Sequence, residues 1–288
     1  MDDKNIISIK DKKYPKLLKD IGKMAPEQLF YKGEWDSKIF ENCLAVVGSR
    51  RLTSYGKKMT EQLVTEIAAS GITIVSGFMY GGDEAAHRVA IEAEGRTIAV
   101  MPCGIDIIHP EYQEELYNKI LGNKGLIISE FKGNFPPANW TYPRRNRIVA
   151  GLSRAILIVE AGLNSGTLIT AEFARKFGRR VFAVPGPLTS EVSRGTAQLI
   201  KEGAIIATEV ADILKHYGSS AKSNSAKPRI PQAEGIKKEI IEQLRKEPME
   251  IDVLARVMRI SVAKLSVNLS LMQLKGLINQ EKGKYYVN

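Results

Sequence analysis

The chain has little of what would mark a secreted protein or a metalloenzyme. It holds two cysteines and three histidines in 288 residues. Cys43 and Cys103 form no C-x-x-C pair and each adjoins apolar, strand-like sequence, which predicts reduced core residues rather than a disulfide framework. His87, His109 and His216 are too scattered for a metal site. No apolar run reaches the length of a membrane span, and the opening Met1-Asp2-Asp3-Lys4 is no signal peptide. A cytoplasmic protein without membrane contact is expected. Two nucleotide motifs are missing as well. There is no G-x-G-x-x-G behind a strand and no G-x-x-x-x-G-K-[ST], which argues against ordinary dinucleotide binding and P-loop hydrolysis.

Positive charge, by contrast, is plentiful. Lys and Arg number 42 against 32 Asp and Glu, a formal net charge of +10. That balance favours polyanionic partners. A length of 288 residues at 44% hydrophobic content suffices for one full α/β domain and something smaller.

The most informative stretch runs from Leu44 to Leu63. A short apolar run, 44–47, is broken by Gly48-Ser49-Arg50, and an amphipathic helical pattern opens near Tyr55. A strand that ends in Gly and feeds a helix is the phosphate-binding corner of a doubly wound α/β sheet. The Gly lets backbone approach an anion, and the helix N-terminus offers unpaired N–H groups. Arg50 and Arg51 add full charge at the same corner. The phosphates belong either to a nucleotide or to a nucleic-acid backbone.

Residues 1–40 read as a small helical and extended lead-in, with a strand-turn signal at Leu29-Phe30-Tyr31-Lys32-Gly33. From 41 to 217 strands and helices alternate. Apolar strand candidates lie at 44–47, 72–75, 97–101, 126–129, 155–159, 181–184 and 204–207. Near-continuous apolar strands demand a parallel sheet covered on both faces. Residues 218–235 are small and polar with two prolines, a flexible linker. From 236 to 288, three helical segments (236–245, 251–257 and 261–275) precede an extended pair around a turn at 281–284, the plan of a winged helix. From Gly235 onward there are ten Lys and Arg and six acids, a net of +4. Its third helix has few base-reading side chains, so DNA contact and protein contact both stay open.

Several motifs recur in a fixed order. They are Gly48-Ser49-Arg50; Ser76-Gly77 with Gly82-Asp83-Glu84-Ala85-Ala86-His87; Gly104-Ile105-Asp106; and Pro143-Arg144-Arg145-Asn146-Arg147-Ile148. Then come Ser165-Gly166-Thr167-Leu168-Ile169-Thr170-Ala171, Val184-Pro185-Gly186, and Ser193-Arg194-Gly195-Thr196 ahead of Leu199-Ile200-Lys201-Glu202-Gly203-Ala204. In this order and spacing the set resembles the DprA/Smf family, bacterial DNA-processing proteins of natural transformation. The resemblance covers about 44–214, and the tail is similar to the winged helix many members carry. It implies an extended Rossmann-like, mostly parallel doubly wound domain that dimerises and binds single-stranded DNA. It further implies a mediator that shields incoming strands and loads RecA onto them, without cofactor or covalent chemistry. One position departs: Tyr80 stands where the family's S-G-x-A-R-G-I-D has Arg.

Arg50, Arg144, Arg145 and Arg147 are the leading candidate phosphate contacts, since the guanidinium fork suits phosphate oxygens. Asn146 lies between them. Ser165-Gly166-Thr167 opens another helix after a strand, a second anion-binding N-terminus. Lys201 adds to the basic surface. With Arg51 and the motif residues Gly48, Ser49, Gly77 and Tyr80, these complete the expected DNA-binding set. Phe135, Trp140 and Tyr142 are either base-stacking aromatics or core. Asp83 and His87, four apart on a predicted helix, read as a hydrogen-bonded brace of the turn in preference to an acid–base pair.

Two rivals come from other classes. The LOG-like nucleotide phosphoribohydrolases share the Rossmann variant and carry P-G-G-x-G-T-x-x-E. Here Thr170 occupies the position of the catalytic Glu, and Glu172 lies about 200° around the helix from it. Glu160, at the preceding strand end, is the one carboxylate that keeps a hydrolase open. A transcription regulator with a Rossmann sensor domain and a DNA-reading winged helix is the other.

Overall fold

The computed structural model describes residues 5–218, 235–274, 276–281 and 283–287. They fall into two compact units, one of residues 5–218 and one from 235 onward. Apart from Gly218 and Gly235, the expected linker lies outside the described residues, as do Lys275 of the third tail helix and Lys282 of the expected turn.

The first unit is built on nine strands: β1 (Ile6–Ser8), β2 (Gln28–Lys32), β3 (Cys43–Val47), β4 (Thr73–Ser76), β5 (Thr97–Val100), β6 (Leu126–Ser129), β7 (Ala155–Ile158), β8 (Arg180–Ala183) and β9 (Ile205–Ile206). Their order is β1-β2-β6-β5-β4-β3-β7-β8-β9. From β3 to β9 every pairing is parallel, whereas β2 runs antiparallel to β6 and β1 antiparallel to β2. The lead-in therefore supplies two edge strands to the main sheet. The chain winds outward from β3 through β6, then returns to place β7 beside β3. That reversal is the topological switch point, where an open α/β sheet forms its crevice.

Helices α1 (Lys16–Lys19), α2 (Ser54–Ala69), α3 (Gly82–Glu92), α4 (Glu114–Gly122), α5 (Thr141–Leu152), α6 (Gly166–Lys176), α7 (Arg194–Lys201) and α8 (Val210–Leu214) cover both faces. Strand alternation divides the core. Leu44, Val46, Ile74, Leu157 and Phe182 pack with α2, α3 and α8, while Ala45, Val47, Val75, Ile156 and Ile158 pack with α5 and α6. Strands β3 to β7 are buried along their whole length, which is why they read as unbroken apolar runs.

The second unit has α9 (Ile236–Lys246), β10 (Met249–Glu250), α10 (Ile251–Met258), α11 (Val262–Leu274), β11 (Ile278–Glu281) and β12 (Lys284–Val287), with sheet order β10-β12-β11. Ile240, Leu244, Leu254, Leu265, Leu269, Met272 and Ile278 form its core. Ser261 Oγ accepts the Lys264 N–H at 3.4 Å, the expected cap of the third helix. Three helices and a small antiparallel sheet make this a winged helix.

One contact ties the start of α3 to the exit of β3. Gly82 N–H donates to Ser49 O at 3.0 Å, and a Cβ on Gly82 would stand 2.7 Å from Gly48 N. Gly82→Ala should therefore destabilise the protein by about 2 kcal/mol through overpacking against backbone. Gly166→Ala, with nothing within 4 Å of the added methyl, should be neutral within about 0.5 kcal/mol. Denaturant unfolding of the two variants checks the contrast.

Candidate nucleic-acid interface

At the switch point the structure opens a crevice of about 1100 Å³. Its floor is the exit of β3. Gly48, Ser49, Arg50 and Arg51 line it, together with Gly77 and Tyr80 from the β4–α3 turn. The opposite wall carries Arg145, Asn146, Ser165, Gly166 and Thr167. Eleven of the fourteen expected residues thus meet in one cavity, drawn from four strand–helix turns. Arg144 and Arg147 line a second cavity of about 660 Å³, and Lys201 is exposed at the end of α7, lining neither.

The corner is wired through backbone. Ser49 N–H donates to Glu160 O at 2.7 Å, and Ser49 Oγ accepts the Arg51 N–H at 3.0 Å. Ser165 caps α6 by accepting Thr167 N–H at 3.2 Å, and Thr167 Oγ1 donates to Gly48 O at 3.1 Å. Capping and crevice formation are the same set of bonds. The α2 N-terminus is capped by Thr53, which accepts Gly56 N–H at 3.2 Å. Of these two helix ends, that of α6 lines the crevice at Ser165–Thr167 and favours anions there, whereas that of α2 is occupied by Glu160.

Arg50 is exposed, with its guanidinium 5.7 Å from the Tyr80 ring and 5.3 Å from the Tyr142 ring. Both rings lie within cation–π distance of this exposed guanidinium. Tyr142 is braced in turn by His109, whose Nε2 lies 2.8 Å from the tyrosine hydroxyl. Burial, and then the Arg50 charge, lower the His109 pKa, so the ring is neutral at pH 7.

The other arginines of the basic run are engaged inside the protein. Arg145 is 3% exposed, donates to Val100 O and stands 4.0 Å from Asp83, with its Nε unpartnered. A Cβ on Gly77 would overlap both the Arg145 guanidinium and the Asp83 carboxylate, which explains the glycine. Burial pushes the Asp83 carboxyl up, with Arg145 and the Ser76 hydroxyl pulling against it. Arg147 pairs with Glu130 at 2.5 Å and donates to Met24 O at 2.6 Å. Arg144 pairs with the same carboxylate at 3.1 Å from a half-exposed position. Asn146 Nδ2 donates to Gly166 O at 3.3 Å, linking the start of α5 to that of α6.

Asp83 and His87 make no bond to each other among the hydrogen bonds of the described residues. His87 is fully buried, with Nε2 2.6 Å from Gly77 O and Nδ1 2.7 Å from Thr97 Oγ1. Since a carbonyl only accepts, Nε2 carries the proton of the neutral ring. The pair braces the turn. Glu160 is equally committed. It is 2% exposed, and its carboxylate accepts Thr53 N–H at 2.9 Å and the Thr53 hydroxyl. No cluster of three or more His, Cys, Asp or Glu that could hold a metal occurs among the described residues. Nor, among them, is any helix long and apolar enough to cross a membrane.

Sequence reasoning did not place Arg194 in the site. It lines the crevice and pairs with Glu191 at 2.9 Å. The signal was present in Ser193-Arg194-Gly195-Thr196, where Gly195 N–H donates to Ala161 O at 2.7 Å and draws the start of α7 to the switch point. In the winged helix, the exposed residues of α11 include Val262, Val267 and Leu271 beside Lys264. Asn268, one of two amides in the helix with Gln273, spends a donor on Lys264 O. Base readout needs Arg, Lys, Asn or Gln edges, and α11 offers few.

The fold defines an α/β protein with a crevice at its switch point and a winged-helix unit. The model of DNA recombination-mediator protein A matches residues 5–218, and that of the DprA winged helix domain residues 224–284. The chain belongs to this family. Protein Smf of Escherichia coli (strain K12) is 37% identical over 267 residues, covering 90% of this chain and 71% of that protein. DNA processing protein DprA of Streptococcus pneumoniae (strain ATCC BAA-255 / R6) is 41% identical over 210 residues, 73% of each. The solved S. pneumoniae DprA structure superposes with a TM-score of 0.69 at 40% identity, over 74% of each chain. DNA processing protein A of Helicobacter pylori, solved for its single-stranded DNA binding mode, gives 0.66 at 31% identity, over 75% of this chain and 97% of that one.

Burial holds the His87 pKa down, from 6.5 to about 4. Above pH 6.5 the ring is neutral in folded and unfolded chains alike and stability is unaffected. Between pH 6.5 and about 4 the unfolded chain takes up a proton the native one refuses, and up to about 3 kcal/mol is lost. Asp83, with its raised carboxyl, works in the opposite direction, so the measurement is a difference. Wild type should exceed His87→Gln in stability at pH 7, and the gap should narrow as pH falls to 4. A gap constant with pH would refute the assignment.

Proposed function

We propose that the chain is a single-stranded DNA-binding recombination mediator that protects incoming strands and loads RecA onto them. In this reading it acts in the cytoplasm as a homodimer and does no covalent chemistry. The observation that carries the reading is Arg50 beside Tyr80 and Tyr142, in a crevice whose opposite wall holds the start of α6. That arrangement offers a phosphate a fork of donors and offers a base two aromatic faces, which is the chemistry of sequence-tolerant single-strand binding. The family and the H. pylori relative support it. Tyr80, in place of the family's Arg, gives up a cation and supplies a ring that flanks Arg50.

The engagement of Arg145 and Arg147 assigns them first to the frame of the crevice. We propose Arg50 as the principal phosphate contact, with Arg51, the start of α6 at Gly166, and Arg194 once released from Glu191, as further contacts. The domain limits we propose are those read from the sequence, with residues 41–217 as the DNA-binding domain and 236–288 as a docking module. The apolar exposed positions of α11 favour a protein partner for that module.

Binding to thymidine oligomers, followed by anisotropy across a salt series, tests the reading. Affinity should fall steeply with salt. Arg50→Ala should weaken binding about tenfold and flatten the salt slope by roughly 0.7, the loss of one phosphate contact. Lys201→Ala should stay within about twofold. Preference for a defined duplex sequence over single strands would sink the proposal and raise the regulator.

The hydrolase reading has its own test. Because both Glu160 oxygens serve Thr53, neither ATP nor nucleoside monophosphates should be turned over. Turnover that disappears in Glu160→Gln while the fold persists would establish an enzyme.

A further inference from the structure

The segment from Phe131 to Trp140 leaves β6 and enters α5. It carries three aromatic side chains that belong to none of the hydrophobic cores of the described residues. Phe131 and Phe135 are stacked, centroids 4.6 Å apart and planes at 11°. Trp140 meets both edge-on, at 5.8 and 6.0 Å. Trp140 is 51% exposed and Phe135 37%. Trp35 is a contrast: it packs between Tyr31 and Phe40, and its indole N–H donates to Lys13 O.

The exposed rings stand on a rigid base. Gly104 N–H donates to Phe135 O at 2.7 Å, Ile105 N–H to Phe131 O at 3.1 Å and Asp106 N–H to Gly133 O at 3.1 Å. Gly104 admits no Cβ, because the backbone of Gly133 and Phe135 occupies its place. Two exposed rings, Phe135 and Trp140, packed on the half-buried Phe131, present aromatic surface at little entropic cost on binding.

Position and charge say what covers them. Asn139 and Tyr142, on either side of Trp140 in the chain, both line the crevice. Arg144 lies 6.0 Å over the Trp140 ring. The platform therefore continues the arginine-lined crevice at its rim and carries a cation of its own. An apolar peptide gains nothing from that cation, whereas a nucleobase followed by a phosphate uses both features.

We propose that Phe131, Phe135 and Trp140 form a base-stacking platform that receives nucleotides of the single strand beyond those held in the crevice. This rests on the single-strand reading of the crevice, and the test separates the two.

The full chain is titrated with thymidine oligomers of about 4 and about 20 nucleotides, spanning the range of single-strand site sizes. The chain has two tryptophans, and Trp35 is packed away from the crevice lining. Indole emission should be quenched by the long oligomer in wild type, and the quench should be absent in Trp140→Phe. Trp140→Ala should weaken the long oligomer about tenfold and leave the short one within about twofold, the effect of one lost stack. The salt slope should not change, since no phosphate contact is removed. Phe135→Ala, the second variant, should act in the same direction on the long oligomer. Arg50→Ala should weaken both lengths. Loss of neither length in Arg50→Ala would overturn the crevice reading itself. Loss in Arg50→Ala with no quench in wild type and no length-dependent loss in Trp140→Ala or Phe135→Ala would overturn the platform alone. A change in the mass of the free protein in Trp140→Ala would assign the platform to contact between copies and overturn it equally.

Discussion

The corner on which the crevice depends is held by one buried carboxylate. Glu160 sits at the end of β7, accepts from Thr53 at the start of α2 and, through its carbonyl, from Ser49 at the end of β3. One residue thereby joins both strands of the switch point to the helix that follows the first. Its charge is compensated by the helix N-terminus, and each hydrogen bond to it contributes about 1.5–3 kcal/mol. The fit leaves no slack, since a Cβ on Gly56 would stand 2.5 Å from its Oε2. A carboxylate so employed anchors the floor of the crevice from beneath and directs Gly48, Ser49 and Arg50 up into it.

That commitment bears on how a nucleotide-type fold can handle a polymer. A hydrolytic site needs an unengaged carboxylate beside the bond to be broken. In this crevice Asp83 is tied to Ser76 and Arg145, Glu191 to Arg194, and Glu160 lies below the floor. Glu191 is the one of the three that is also exposed. On the proposed reading, the arginines and rings of the crevice hold phosphates without distinguishing the bases they carry.

Much of the fold was legible because β3 to β7 are buried on both faces, and burial of that kind writes itself as unbroken apolar runs. The winged helix was legible from periodicity and the Ser261 cap. Ile6–Ser8 was not, since three residues carry no period and their pairing with β2 is a tertiary choice. At the site, glycine and small-residue motifs located the strand ends correctly. The arginine run misled in one respect. Arg145 and Arg147 read as phosphate contacts, yet both side chains are buried and engaged inside the protein. Their acidic partners, Asp83 and Glu130, come from other strand ends, and no local pattern announces a partner 62 or 17 residues away.

The same run shows why three neighbouring arginines need not share a role. Helical geometry turns successive residues by about 100°, so Arg145 leaves α5 on a different face from Arg144 and Arg147, which lie three apart and share Glu130. Arg145 goes under the crevice to Val100 and Asp83, and Arg147 goes to Met24 and Glu130 of the second cavity. Arg144 stays half in water, over Trp140. Desolvation separates them. A buried guanidinium paired with carbonyl and carboxylate gains less from a phosphate, because it must first give up those bonds. Exposed Arg50, beside two aromatic rings, gives up water. By that argument Arg50 is the cation of the proposed site that a polyanion gains most from, Arg144 would first have to leave Glu130, and the buried pair hold the frame in place.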